Sequence, residues 1–165
     1  MLLYHGSITV VKKPLLNITN RKTDFGIGFY TTTSENQANS WANIKKIRYG
    51  VKTGYINVYE FDEVQFPRLN VMTFVGATNE WLDFVFTNRH IDGLNHSYDI
   101  VRGPVANDTL YQTLALFEGG ILDKNETIAR LKTYKLVDQI SFHTEKGLES
   151  LIFRNAIMVG GNADE

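Results

Sequence analysis

Residues 24–41 read DFGIGFYTTTSENQANSW, and this stretch decides how the chain is expected to fold. Two glycines precede a β-branched run, which predicts a loop that enters a strand at about residues 28–32. Ser34, followed three residues later by Gln37, resembles a capping box, in which each side chain satisfies a free backbone amide. A helix should therefore begin here and run over about residues 35–48. The stretch predicts a loop, a strand and a helix in immediate succession.

Apolar and alternating segments on both sides extend this prediction. The opening residues 2–11 predict a short strand that ends at a Gly-Ser turn. Further strands are expected at residues 55–61, at 98–101 before a Gly-Pro turn, at 140–143 and at 151–159. Helices are expected at residues 81–86, 108–117, 123–134 and, as a short turn, 145–148. Strands and helices do not alternate regularly, so we expect one α+β domain over residues 1–159 and a loose, flexible tail at 160–165.

The composition excludes several classes of protein. A chain of 165 residues with 43% apolar residues suits one soluble domain with a single core. The 17 basic and 18 acidic side chains nearly balance, which argues against a nucleic-acid-coating protein or a polybasic membrane binder. Without cysteine there is no disulfide, thiolate zinc site or cysteine nucleophile. The start does not resemble a signal peptide, and no apolar run reaches the roughly 18 residues of a membrane span, so a cytoplasmic location is expected.

Common catalytic and cofactor motifs are absent. The sequence contains no GxxxxGK[ST] loop, no HExxH helix and no GxSxG elbow. The segment GIGFY holds only GxG, so a dinucleotide bound in the Rossmann manner is not expected. His90, His96 and His143 have no metal-like spacing with carboxylates. We therefore expect no metal.

Three segments together resemble a known family. They are LLYHGS at residues 2–7, the stretch at 24–41, and DQISFHTEKGLESLIF at 138–153. The pattern YHGS … FGIGFYTT … ANSW is similar to WHGS … FGKGIYFA … SANY in the diphtheria-toxin and poly(ADP-ribose)-polymerase branch of the ADP-ribosyltransferases. The resemblance is closest in the first forty residues or so. Between about residues 50 and 135 no part of the sequence can be aligned with the polymerases.

The resemblance implies a fold and an NAD site. The fold would be a split, curved, mostly antiparallel β-sheet core with flanking helices. Tyr30 and Trp41 would hold the cationic nicotinamide ring by stacking and cation–π attraction. The backbone of Gly6 would pair with the carboxamide of NAD, since glycine permits a close approach. His5, helped by Ser7, would hydrogen-bond a ribose hydroxyl.

The same resemblance assigns the catalytic roles to His5, Tyr30 and Gln139. Gln139 occupies the place of the family's catalytic glutamate, which holds a ribose hydroxyl and stabilises positive charge as nicotinamide leaves. Glutamine keeps the hydrogen bond, but it has no negative charge and cannot act as a general base. Two functions follow: transfer of a single ADP-ribose group, or a catalytically inactive module that binds NAD, ADP-ribose or a partner protein.

Two other positions depart from the family pattern. Ala38 stands where the family has a serine that contacts the carboxamide, and either Ser34 or Ser40 is available to replace that hydroxyl. Val137 lacks the Glu or Gln typical of arginine-modifying relatives. Arginine is therefore not the expected acceptor.

The chain also resembles, over nearly its whole length, an uncharacterised bacterial domain family often suspected of being toxin-like. The shared features are the same start and a central segment, YDIVRGPVAND, at residues 98–108. This resemblance implies a bacterial toxin or phage-defence effector that modifies a protein or nucleic-acid target. An antitoxin or inhibitor protein would be its partner, and no membrane is implied.

The central segment and one helix end hold further candidates. The central segment favours a structural interpretation: a buried strand, then a Gly-Pro turn, then a helix cap. The alternative is that it places a polar side chain beside the acceptor or a phosphate, with Asp99, Asn107 and Asp108 as the candidates. Asn88 and Arg89 fit equally well a surface position at a helix C-terminus and a diphosphate-binding role.

Overall fold

The computed structural model describes residues 1–16, 23–93, 96–105, 108–134 and 136–160. The strands of this part of the chain are β1 (Leu2–Ser7), β2 (Phe29–Thr31), β3 (Gly54–Phe61), β4 (Val71–Thr73), β5 (Ile100–Val105), β6 (Val137–Phe142) and β7 (Leu151–Val159). Its helices are α1 (Glu35–Tyr49), α2 (Asn79–His90), α3 (Asp108–Glu118), α4 (Lys124–Leu131) and α5 (Glu145–Leu148), with a 3₁₀ helix at Glu63–Arg68. None of these described helices has the length and apolar character needed to cross a membrane.

The described strands form two sheets. One has the order β1-β3-β7 and the other the order β2-β6-β5-β4. Each strand pair is antiparallel except β4 with β5. A single antiparallel bridge, between Tyr4 and Thr32, joins β1 to the end of β2. The fold is therefore a mixed α+β arrangement with mostly antiparallel strands, as the sequence predicts.

The two sheets pack face to face. Alternate side chains of a strand point to the same face, so Leu3 and Tyr59 of the first sheet meet Ile140 and Phe142 of the second. All four are fully buried. This apolar layer fixes the position of β1 against β2, where the candidate site lies.

Helices cover the outer faces of both sheets. On the second sheet, Val101 packs with Trp81 of α2, Leu110 of α3 and Leu131 of α4 in a separate buried cluster. On the first sheet, α1 presents buried alanines to β1 and β3. Small residues at this contact let the helix approach the strands closely.

Helix α1 begins where residues 24–41 predict, but only half of the expected capping box forms, because the Ser34 N–H donates to Oγ1 of Thr32 at 3.1 Å and not to the Gln37 side chain. The Ser34 hydroxyl oxygen accepts a hydrogen bond from the Gln37 backbone N–H at 3.2 Å, which begins the helix. Gly50 ends it with φ of +64°, a conformation that favours glycine. Both signals are local, which is why the sequence alone predicts this helix well.

Strands β1, β5 and β6 all extend beyond their predicted bounds, and one strand is missing from the prediction. The Gly-Ser turn expected at the end of β1 is wrong, because β3 pairs with both Gly6 and Ser7. The Gly-Pro turn expected after residue 101 is also wrong, because β6 pairs with β5 as far as Val105. Pro104 is tolerated there because β4 pairs only with residues 100–102 and leaves that edge open. The short strand β4 itself was not predicted.

The predicted helix cap at Asn107 and residues 161–165 of the predicted tail lie outside the described residues. Strand β6 begins at Val137, earlier than the predicted start at residue 140. Gln139 therefore lies inside the strand and not at its start.

Candidate functional site

The candidate site lies where β1 and β2 separate. Tyr4 and Thr32 exchange two backbone hydrogen bonds, of 2.9 and 3.0 Å. In a continuing antiparallel ladder the next such pair would be Gly6 with Tyr30, because hydrogen-bonded pairs recur every two residues. No described backbone bond joins these two residues. The ladder thus opens between Gly6 and Tyr30.

Side chains take the hydrogen bonds that this missing pair would have made. The Tyr30 carbonyl accepts from Nδ1 of His5 at 2.6 Å. The Gly6 carbonyl accepts from Nζ of Lys45 at 2.7 Å. The opening between the strands is therefore lined by an imidazole and an ammonium group.

His5 offers a hydrogen-bond acceptor to a ligand. A carbonyl can only accept, so the bond to Tyr30 places the proton on Nδ1 and leaves Nε2 with a lone pair. No described residue bonds to Nε2. Burial, and to a smaller extent the charge of Lys45, lower the pKa of His5 to about 3 against the opposing effect of the bond to Tyr30. The ring, stacked on Phe29 with centroids 4.3 Å apart, is therefore neutral at pH 7 and suited to a hydroxyl donor.

Gly6 lies against helix α1. A Cβ added there would press into the Ala38 carbonyl oxygen and lie 2.7 Å from the Ala42 nitrogen and 2.9 Å from Cβ of Trp41. The position therefore requires glycine for packing. It also places the half-buried Trp41 side chain beside the strand opening.

Tyr30 is held by its hydroxyl group. The hydroxyl donates to the Gly26 carbonyl at 2.6 Å and accepts from the Phe25 N–H at 3.1 Å. It also lies 3.0 Å from Oγ1 of Thr23. Burial raises the pKa of Tyr30 well above its ordinary value. The ring is half-buried and packs against the cluster between the second sheet and its helices.

Gln139 lies on the same face of the second sheet as the Tyr30 ring. Tyr30 pairs with Ser141, and Gln139 is two residues further along β6, so it is a diagonal neighbour of Tyr30. Its side chain is buried, and Nε2 donates to the Pro104 carbonyl at a long 3.4 Å. The structure thus brings His5 into contact with the main chain of Tyr30 and places Gln139 on the next strand.

The serines expected near the carboxamide have other partners. Ser34 caps α1, and the exposed Ser40 donates to the Asn36 carbonyl at 3.1 Å. Neither hydroxyl replaces the one that Ala38 lacks. Ser7 is buried and accepts a 3.4 Å hydrogen bond from the Thr9 N–H.

A cleft of about 590 Å³ lies at the open edge of β5. Its walls include Phe74, Arg102, Pro104, Tyr134 and Asp138. None of the predicted site residues lines this cleft, although Asp138 directly precedes Gln139. It is therefore a feature separate from the strand opening.

Lys45 is the functional candidate that the sequence prediction missed. Lys45 follows Trp41 by four residues, so both side chains lie on one face of α1. This spacing is the sequence pattern from which Lys45 could have been predicted as a site residue. Its contact with Gly6, 39 positions away, depends on how α1 packs against β1.

The sequence prediction also missed the structural roles of two histidines, of which His143 is buried and His96 is half-buried. His143 bonds through Nδ1 to the Ile27 carbonyl at 2.7 Å and through Nε2 to Oγ of Ser141 at 2.8 Å. His96 lies 4.5 Å from it, ring to ring, and bonds to the Phe25 carbonyl at 2.8 Å. Together they hold the loop that leads into β2. Burial lowers the pKa of His143 to about 4 and also lowers the pKa of His96.

Arg89 is held by ion pairs at the end of α2. Its guanidinium lies 2.9 Å from a carboxylate oxygen of Glu118 and 3.4 Å from one of Asp24. Asn88 is buried and donates to the Phe84 carbonyl at 2.8 Å. Both residues lie in the last turn of α2 as expected, but the surface position expected for Asn88 is wrong, because its side chain is buried. A diphosphate would have to compete with two carboxylates for Arg89.

Asp99 has a structural role in the described chain. Its carboxylate accepts from the Asn70 N–H at 2.8 Å and from the Thr144 hydroxyl at 2.6 Å. Burial alone would raise the pKa of Asp99, but these bonds and the charge of Lys146 hold it below its ordinary value. The side chain of Asp108 lies outside what the structure describes.

Replacement of Asp99 by asparagine is expected to lower the free energy of unfolding by about 2 kcal/mol, because an amide donor would then compete with the two donors that the carboxylate satisfies. Urea unfolding measures this change. Glu149→Gln, at an exposed site, is the matched control and should stay within about 0.5 kcal/mol of the original chain. Unchanged stability of Asp99→Asn would contradict the structural role.

Residues 1–153 match the model of a family described as Protein of unknown function (DUF3990), and the chain belongs to this family. No match was found among curated proteins or among solved structures. Within the described residues, no group of three or more histidine or acidic side chains could hold a metal ion. The function must therefore be inferred from the geometry of the strand opening.

Proposed function

We propose that this chain is a mono-ADP-ribosyltransferase that binds NAD at the opening between β1 and β2. One observation carries the proposal: the ladder opens at Gly6 and Tyr30, with His5 bonded across it and Trp41 beside it. These residues match the His-Gly and aromatic positions of the ADP-ribosyltransferases that the sequence resembles. The two sheets joined by one bridge would then be the split sheet of that fold.

In this proposal the residues act by holding NAD while nicotinamide leaves. Tyr30 and Trp41 would flank the nicotinamide ring, and Nε2 of His5 would accept from a ribose hydroxyl. The bond between ribose and ring nitrogen breaks with its electron pair going to nicotinamide, which leaves positive charge on the ribose. The Gln139 carbonyl would orient the adjacent hydroxyl and place its dipole near that charge. Gln139 cannot take a proton, so the acceptor must lose its proton to another group.

A second candidate function is binding of NAD or ADP-ribose without transfer. The observation that favours it is Gln139, which is uncharged, buried and bonded to Pro104. The transferase would be a bacterial toxin or phage-defence effector whose partner is an antitoxin or inhibitor, whereas the module would act by binding alone. Release of nicotinamide from NAD separates them, because only the transferase produces it.

Replacement of Trp41 by alanine is expected to weaken NAD binding about tenfold, since stacking and cation–π contacts of one aromatic ring contribute roughly 1.4 kcal/mol. Isothermal titration calorimetry measures the affinity. Tyr49→Ala removes an exposed ring from the same helix and should leave binding unchanged.

Two results would decide between the candidates or reject both. Nicotinamide release that falls in Gln139→Ala would support transfer, and binding without release would support the inactive module. Absence of NAD binding to the folded chain would reject both.

A further inference from the structure

The cleft at the open edge of β5 has walls that suit a flat ring. Its volume of about 590 Å³ is that of a typical small-molecule site. Phe74 and Tyr134 lie among its walls and pack against the buried cluster beside the second sheet. The Phe74 ring contacts Phe25 and Phe84 at centroid distances of 6.2 and 5.2 Å, and the Tyr134 hydroxyl lies 3.2 Å from Oγ1 of Thr113. Both rings are therefore held in place before a ligand binds.

The charged groups of the cleft are exposed and carry a net positive charge. Lys132 lies at the surface, and among the described residues no hydrogen bond or ion pair involves its ammonium. The Arg102 side chain is 41% exposed and lies 3.6 Å from a carboxylate oxygen of Asp138. The other oxygen of Asp138 accepts from the Thr33 hydroxyl at 2.5 Å. The described lining thus has two cations and one carboxylate, and both cations can reach an anion at the surface.

The backbone of this edge argues against an added peptide strand. The Arg102 carbonyl accepts from the Phe74 N–H at 2.8 Å, so it points toward β4. Backbone groups alternate in direction along a strand, so Pro104 faces the same open side, while Gly103 and Val105 face β6. Proline has no N–H. The described edge beyond Arg102 therefore offers no donor for a β ladder, and recognition must come from side chains.

Fixed aromatic rings beside exposed cations are the features that bind single-stranded nucleic acid, because bases stack on the rings and phosphates pair with Lys and Arg. We infer that this cleft binds single-stranded nucleic acid, with one base between its walls and the adjoining phosphates on Arg102 and Lys132. A base in an intact duplex is stacked inside the helix and cannot enter. The net charge of the chain is −1, so binding should depend on few phosphate contacts, of which these are two.

The inference goes beyond the binding of NAD at the strand opening. Binding of the strand requires no NAD and uses the residues of a separate cleft. Asp138 of the cleft directly precedes Gln139, whose Nε2 donates to the Pro104 carbonyl at 3.4 Å. Under the proposed function, the target class would therefore be nucleic acid and not protein, and this consequence alone rests on the proposed function.

The test measures binding of a short fluorescent single strand of mixed sequence to the full chain by anisotropy, over a series of salt concentrations. Arg102→Gln and Lys132→Gln each remove one phosphate contact, so each should reduce the slope of log K against log salt by about 0.7 and weaken binding about fivefold at about 0.1 M salt. Phe74→Leu keeps the apolar packing but removes a stacking ring, and it should weaken binding about tenfold at an unchanged slope. Arg48→Gln makes the same change of charge at an exposed position of α1, outside the cleft, and should stay within about twofold of the original chain.

Several results would overturn the inference. One is unchanged affinity in Arg102→Gln and Lys132→Gln, or in a folded Phe74→Leu. Another is equally tight binding of the matching duplex or of an acidic peptide of equal charge, because neither brings a base into the cleft. Failure of the single strand to bind the folded chain would also overturn it. None of these results bears on NAD binding at the strand opening, so the proposed function is decided by its own experiments.

Discussion

Replacement of Gly6 by alanine is expected to lower the free energy of unfolding by about 3 kcal/mol and to abolish dinucleotide binding. The added Cβ would meet backbone atoms of α1, the Ala38 carbonyl oxygen and the Ala42 nitrogen, the latter at 2.7 Å. Backbone atoms inside a helix cannot move aside as a flexible side chain can, so β1 and α1 must separate. Urea unfolding measures the stability, and calorimetry measures the binding.

Gly76→Ala is the matched control for this experiment. No atom lies within 4 Å of a Cβ added at Gly76, and its φ is not in the left-handed region. Its stability should stay within about 0.5 kcal/mol of the original chain. Near-normal stability of Gly6→Ala would show that α1 does not lie against β1 as described.

Acidification from pH 7 to pH 5 is expected to lower the free energy of unfolding by about 4 kcal/mol, shared by His5 and His143. In the folded chain their pKa values are about 3 and about 4, against 6.5 for an ordinary histidine. Between pH 6.5 and the folded values the unfolded chain binds protons that the folded chain does not. Stability is therefore fully present above pH 6.5 and is lost as the pH falls, and the lowered pKa of His96 acts in the same direction.

Guanidinium unfolding at a series of pH values checks this result. His143→Asn keeps a nitrogen donor near the position of Nδ1, which can still serve the Ile27 carbonyl, but it does not titrate. This variant should lose about half of the pH dependence, and a further His5→Asn replacement should remove most of the rest. Stability that is constant between pH 7 and pH 5 in the original chain would contradict the buried, neutral state of these rings.

The sequence predicts best what local residues determine. Ser34 caps the start of α1 and Gly50 caps its end, each through bonds to neighbouring residues, and the helix forms between them. The Gly-Ser and Gly-Pro pairs mislead because pairing with distant strands keeps them extended. Strand β4 could not be predicted, since three residues carry no clear alternation and their pairing with β5 is set by the tertiary structure.

The candidate site likewise has residues that the sequence predicts and residues that only the tertiary structure reveals. The order of His5, Tyr30 and Trp41 along the chain, with the family resemblance, predicts that they come together. The structure bonds His5 to the Tyr30 carbonyl and sets Cβ of Trp41 beside Gly6, while the Tyr30 ring packs against the cluster between the second sheet and its helices. The contact of Lys45 with Gly6 depends on helix packing, which no local pattern contains. The contacts of His96 and His143 with the loop before β2 likewise arise only when this loop meets the end of β6.

The backbone bridge between Tyr4 and Thr32, the one isolated bridge in the described part of the chain, has a mechanical consequence. Separating Tyr4 from Thr32 breaks two hydrogen bonds, each with a net contribution of about 1 kcal/mol, while the ladders inside both sheets stay whole. The apolar layer between the sheets still holds them together, so opening this bridge exposes two backbone amides and carbonyls without dissolving either sheet. Amide hydrogen exchange at Thr32 should then be faster than in the centre of β3.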